Sequence, residues 1–193
     1  MLYAVAGALA FVLLCVVDLL YLRGFQVGKA LVFCAASLLF LAGIIGSVGF
    51  SPRFPTPPAL RVLGWALGAA ALTLAVVALV VEVPTFTLYL TAGRDRRLVT
   101  TGMYAVTRHP GVLWFSLLLL SLVLITGSRV LAAATPLWIA LDVGHVAWQE
   151  RQYLVKVYGE EYRRYQAEVP MLLPTASSIR RGVESRRSKK EET

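Results

Sequence analysis

With 193 residues, of which 58% are hydrophobic and only 16% charged, and a mean hydropathy of +0.68, the chain is too apolar for a soluble domain or a disordered polymer. Its net charge of +8 gathers in short connections and in the terminal stretch from Ile179, which suits an anionic membrane surface better than a nucleic-acid groove. Cys15 and Cys34, the two cysteines, both lie inside apolar runs, so neither a disulfide framework nor a cysteine-rich metal site is expected.

A helix crosses the bilayer core with about 20 mainly apolar residues, and five stretches meet or approach that length. Leu2 to Leu22 is the first, interrupted only by Asp18; without a basic leader, and longer than a signal-peptide core, it is expected to be retained. Ala30 to Phe50 is the second, ending before the proline-rich segment Ser51 to Pro58. Val62 to Val83 is the third, with Glu82 at its foot. Val112 to Gly127 and Val130 to Trp148 are joined through Ser128-Arg129 alone, which makes them an antiparallel hairpin. Five spans sort the basic residues sixteen against three. That asymmetry predicts an external N-terminus and a cytoplasmic C-terminus.

The expected fold is thus an all-α polytopic bundle of about five transmembrane helices with a C-terminal helical hairpin. Residues 1–83 form three spans, 84–174 a catalytic region containing the hairpin 112–148, and 175–193 a basic, disordered tail. Pro84 to Gly111 is too long for a simple connection and is expected to fold against the membrane face. Gln149 to Pro174 reads as a helix with an apolar stripe at Leu154, Val157 and Tyr158, broken at Gly159 and restarted at Glu160-Glu161.

Three groups of residues can carry chemistry. In Thr101 to Gly111, TGMYAVTRHPG, Pro110 holds Arg108 and His109 on a constrained turn at the threshold of the fourth span, where they can bind a carboxylate or phosphate. On the fifth span Asp142, His145 and Gln149 share one helix face, with Glu150 beside them. Ionisable groups inside an apolar run usually face a bundle interior or a wet cavity. Tyr153, Tyr158, Tyr162 and Tyr165 could surround a cationic centre or form an interfacial belt. Asp18 and Glu82, near span ends, read as structural. Two histidines without a cysteine cluster predict no metal site.

TGMYAVTRHPG, a helical hairpin and then QERQYLVKVYGEEYRRYQAEVPMLLP together resemble the isoprenylcysteine carboxyl methyltransferase family and the wider group that includes membrane phospholipid methyltransferases. The matching residues are Gly102, Tyr104, Arg108, His109 and Pro110, then Glu150 and Leu154, then Gly159, Tyr162, Tyr165, Val169, Pro170 and Pro174. The likeness covers the last 90-odd residues, and the first three spans resemble the family only in being spans. Val112, Trp114, Arg151 and Met171 depart from the family pattern, which has Tyr, a small residue, Glu and Arg at those places. The resemblance implies S-adenosylmethionine as cofactor, bound between the hairpin and the C-terminal segment. Tyr104, Arg108, His109, Pro110, Glu150, Tyr162 and Tyr165 would form its site, and Arg108, Glu150, His145 and Asp142 would carry the catalysis. The acceptor would be a lipophilic small molecule or lipidated substrate entering between spans four and five, with membrane lipids as the surroundings and no nucleic-acid partner.

Two other readings stand beside this one: an NADPH-dependent membrane reductase of the sterol-reductase type, and a non-catalytic member of the fold. Gly111-Val112 after the proline argues against the reductase. Gly64-x-x-x-Gly68 on the third span can serve packing between chains or within one, so oligomeric state stays open.

Overall fold

The computed structural model describes residues 1–83 and 98–191, with side chains described up to residue 185. The expectation for Pro84 to Gly111 therefore falls partly outside the described residues, as do Arg94, Arg96 and Arg97 of the charge sorting. The described chain is helical: α1 (Leu2–Leu22), α2 (Gln26–Gly49), α3 (Pro58–Val76), α4 (Pro110–Thr126), α5 (Arg129–Gln149), α6 (Val155–Glu168) and α7 (Ala176–Glu191). A wider, π-helical turn, Val77–Glu82, extends α3; another, Glu150–Leu154, joins α5 to α6; a 3-10 turn, Gly102–Ala105, precedes α4.

Leu2–Leu22, Gln26–Gly49, Pro58–Glu82 and the helix that begins at Arg129 are long and apolar enough to cross a membrane, while α4 is shorter. Its 17 residues span about 26 Å. Apolar side chains stay exposed along the bundle, among them Leu2, Val5, Leu9 and Val12 on α1 and Leu31, Leu38, Leu41 and Ile45 on α2. A surface of that kind is made for acyl chains rather than water. The protein is an integral, multi-pass membrane bundle, as composition predicts.

Lipid is as apolar as leucine, so close backbone approach and polar ties hold such helices together. Gly43 lies against the backbone of Tyr3 and Gly7, bringing α2 onto α1. Gly7 receives the Trp138 indole of α5, which would overlap any Cβ there. Trp138 is fully buried and donates from Nε1 to the Ala4 carbonyl at 3.0 Å, at the centre of a core with Phe11, Leu119, Leu131 and Ala134. Gly64 and Gly68 let α3 approach Ser121, Leu124 and Ile125 of α4. That glycine pair thus packs helices within the chain.

The hairpin forms as the sequence predicts. Gly127 ends α4 in the left-handed region at φ 63°, and Ser128 caps α5 by accepting from the Leu131 N–H. The preceding loop clasps this turn, with Phe54 N–H donating to the Gly127 carbonyl and Arg129 N–H to that of Pro52. Gly159, at φ 59°, breaks α6 where expected.

Two expectations change. The stripe at Leu154, Val157 and Tyr158 becomes Leu154, Val155 and Tyr158 packed on Tyr162, Tyr165 and Val169, with Val157 exposed. The π-helical turn adds a residue to one turn and so rotates the face that follows. The expected disordered tail is instead helix α7. Thr175 and Ser178 cap its start reciprocally, Gly182 lies against Val106, and Ser185 Oγ accepts from the Gly102 N–H at 3.1 Å. Capping and small-residue contact order this segment without large apolar side chains.

Candidate functional site

Pro110 is the first residue of α4, and its ring keeps His109 out of the helix at φ −125° and ψ 65°. The turn leading to it is tied down from two sides. The Glu82 carboxylate accepts from the Met103 N–H at 2.8 Å. Arg108 and His109 N–H donate to the carbonyls of Pro170 and Met171 at 2.9 and 3.1 Å, and Thr107 Oγ1 donates to the same Met171 carbonyl. This places Arg108 and His109 over the start of the π-helical turn that carries Glu150.

Glu150 is the hub. Its Oε1 accepts from Arg108 Nε at 2.8 Å, from His109 Nε2 at 2.8 Å and from the Tyr162 hydroxyl at 3.0 Å. Its Oε2 accepts from Gln166 Nε2 at 2.9 Å and Arg108 Nη2 at 3.2 Å. Arg108 Nη1 donates to the carbonyls of Gln166 and Val169 at the end of α6. One carboxylate thus ties the turn before α4, the end of α5 and the part of α6 beyond Gly159 together. Burial alone would push this carboxyl up, but the bonds from His109, Arg108 and Gln166 outweigh it and hold Glu150 well below the usual carboxylate range.

A depressed folded-state value means that this group's stabilisation is full above the ordinary value of 4.5 and declines as the pH falls below it. The melting temperature in detergent is therefore expected to drop in acid, and Glu150→Gln to flatten that drop. An equally steep acid fall in the variant would show that another group sets it.

The tyrosines close the arrangement. The Tyr165 hydroxyl donates to the Tyr104 carbonyl at 2.6 Å, and Tyr162 lies edge-on to Tyr165 at 5.8 Å. Burial raises both phenols, with Glu150's charge adding to Tyr162 and Tyr104 adding to Tyr165; burial and Glu82 raise Tyr104. All three stay neutral donors. Tyr153, Tyr162 and Tyr165 are buried and, with Tyr158, line a cavity rather than an interfacial belt.

That cavity, about 620 Å³, has Tyr104, Arg108 and His109 at one end and Phe11, Leu14, Phe33, Phe40 and Phe115 along the spans, with Asp142, His145 and Gln149 also in its wall. Its size is that of a small-molecule site. Residues of α1, α2, α4 and α5 line it, so both hairpin helices, between which the acceptor was expected to enter, contribute to its wall. Of the four departures from the family pattern, only Val112 lines it. Arg151 is exposed, and Met171 ties the turn through its carbonyl, for which any side chain serves.

Sequence reasoning missed two participants. Gln166 follows Tyr162 by one helical turn, a spacing that puts both on the Glu150 side. Asp18, read as a partner for Arg23 or for water, is buried and accepts from His145 Nε2 at 2.9 Å, with Gln149 Nε2 at 3.4 Å from both its oxygens. Asp142 shares the cavity wall and feels the charge of His145 one turn further along the helix, with no hydrogen bond to the cluster among the described contacts. No group of three or more His, Cys, Asp or Glu residues that could hold a metal occurs among the described residues.

The comparisons with known proteins agree with this architecture. The pattern of the phospholipid methyltransferase family matches residues 59–161, taking in the third span, the hairpin and Tyr104, Arg108, His109, Pro110, Asp142, His145 and Glu150. The likeness thus begins earlier than the sequence reading placed it, and ends just before Tyr162. The protein-S-isoprenylcysteine O-methyltransferase of Schizosaccharomyces pombe is 31% identical over 81 residues, covering 42% of this chain and 34% of that protein, so the match spans about a third of the relative's length. No solved structure matches significantly. The chain belongs to the phospholipid methyltransferase family of membrane proteins.

Proposed function

We propose that the protein is an S-adenosylmethionine-dependent methyltransferase acting on a lipophilic or membrane-embedded acceptor, the class that holds phospholipid amines and isoprenylcysteine carboxylates. The observation that carries this reading is a cavity with a polar, aromatic-walled end at Arg108 and an apolar end among the spans. It suits a charged donor and a lipid-soluble acceptor meeting in one chamber. In this reading the catalytic region is 84–174, and the charge asymmetry supports a cytoplasmic Arg108 end.

Bound there, S-adenosylmethionine supplies an activated methyl group. Tyr104, Tyr162 and Tyr165 would wall it, and their aromatic faces favour a cationic centre. Arg108, His109 and Glu150 satisfy one another, so their main contribution is to hold this wall in place. Such fixed positioning and exclusion of water are what a direct displacement most needs from a protein.

Calorimetry with detergent-purified protein tests this. S-adenosylmethionine and S-adenosylhomocysteine are expected to bind, and Arg108→Ala to weaken both at least tenfold. Stabilisation by NADPH with no response to either methyl-cycle ligand would refute the reading.

A further inference from the structure

We infer that Asp18 of α1 is a positioning residue that makes His145 the acceptor of a proton released during methyl transfer, so that the methyl acceptor is a group bearing an N–H, O–H or S–H and not a carboxylate. This rests on the methyltransferase reading and deepens it.

Asp18 and His145 meet where α1 packs on α5, with side chains only 6% and 7% exposed. An ionised carboxylate accepts only. Receiving His145 Nε2 on Oδ2, it keeps the ring proton on Nε2, which leaves Nδ1 as the basic ring nitrogen, with no hydrogen bond to it among the described contacts. Gln149 steadies the carboxylate from one helical turn away, and Trp148 lies nearly parallel to the imidazole at 6.5 Å. His145 also lines the cavity. Helix association does not need this cluster, because Gly7, Trp138 and the Ala4 carbonyl already join α1 to α5. Polar groups at such depth are costly and mark function. Asp18 also lies outside residues 59–161, the part of the chain that the family pattern covers.

In the step, the acceptor's lone pair bonds to the methyl carbon as the carbon–sulfur bond breaks, its electrons staying on sulfur. The acceptor's proton passes to Nδ1, giving an imidazolium whose Nε2–H still faces Asp18, and leaves later to water. A carboxylate acceptor has no proton to give and would leave this pair idle. Besides the tyrosines, the other ionisable side chains in the cavity wall are Asp142, which interacts electrostatically with His145 from the same helix, and Arg108 and His109 at the outer end. The lining residues from α2 are apolar apart from Ser37.

The test uses the full chain in its membrane with methyl-labelled S-adenosylmethionine. Label in extracted lipid is expected to survive base, as N-, S- or ether-linked methyl does. Asp18→Asn should lower kcat for labelling about a hundredfold while leaving calorimetric S-adenosylmethionine affinity unchanged. The chain has two histidines, so nitrogen NMR of the purified protein reports the His145 tautomer without any ligand: Nε2–H in the parent, lost in Asp18→Asn. Label released by base as methanol, unchanged kcat in Asp18→Asn, or loss of cofactor binding in that variant would each overturn the inference while leaving methyl transfer standing. No label at all in the parent would bring down both.

Discussion

Glu150→Ala is expected to abolish S-adenosylmethionine binding and to lower stability by about 3–5 kcal/mol, the usual cost of leaving a buried charge without its partner. The magnitude follows from the hub geometry. Removing the carboxylate strands the Arg108 guanidinium, whose side chain is 10% exposed, and frees His109, Tyr162 and Gln166 together. The Tyr104–Tyr165 contact depends on α6 staying where Arg108 and Glu150 fix it, so the aromatic wall loosens as well. Arg108→Lys should do much of the same damage, because an ammonium cannot reach the carboxylate with two donors while also reaching the Gln166 and Val169 carbonyls. Melting curves of the detergent-purified variants measure both effects. A Glu150→Ala protein that melts like the parent and binds the cofactor would dismiss Glu150 as the organiser.

The second large effect is expected away from the polar cluster. Gly7→Val should cost about 1–3 kcal/mol or more by overpacking, because the new side chain would occupy the space of the fully buried Trp138 indole. Pushing α1 off α5 also breaks the Trp138 bond to Ala4 and separates Asp18 from His145. Activity should therefore fall even in preparations that remain folded. Gly28→Ala is the control, since a Cβ there meets only ordinary van der Waals neighbours. Equal melting temperatures for the two variants would contradict the packing described for α1.

Much of the architecture was legible in the chain because lipid imposes simple rules. Spans must be long, apolar and helical, and their boundaries at Pro58, Pro110 and Gly127-Ser128 are written in residues with few conformational options. The Arg108-His109-Pro110 turn and Glu150 were legible as candidates for the same reason. Partner choice was not. Asp18 has a nearer basic neighbour at Arg23 along the chain, and only the close packing of α1 on α5 through Gly7 decides for His145. Likewise Arg108, His109 and Glu150 read separately as ligand-binding groups, yet the fold satisfies them with one another. The shift from Val157 to Val155 comes from a π-helical turn, which regular helical periodicity cannot anticipate. The terminal helix was hidden because composition counts apolar residues and overlooks a cap at Thr175 and a notch at Gly182.

The central claim is that this chain moves a methyl group to a lipid-soluble acceptor from the chamber beside Arg108. The direct measurement is incorporation of label from methyl-labelled S-adenosylmethionine into the organic extract of membranes containing the protein, beside membranes containing Arg108→Ala at equal abundance. The account predicts label in the extract from the parent that is reduced at least a hundredfold by the substitution. Equal labelling in both, or none above that of membranes without the protein, would contradict it.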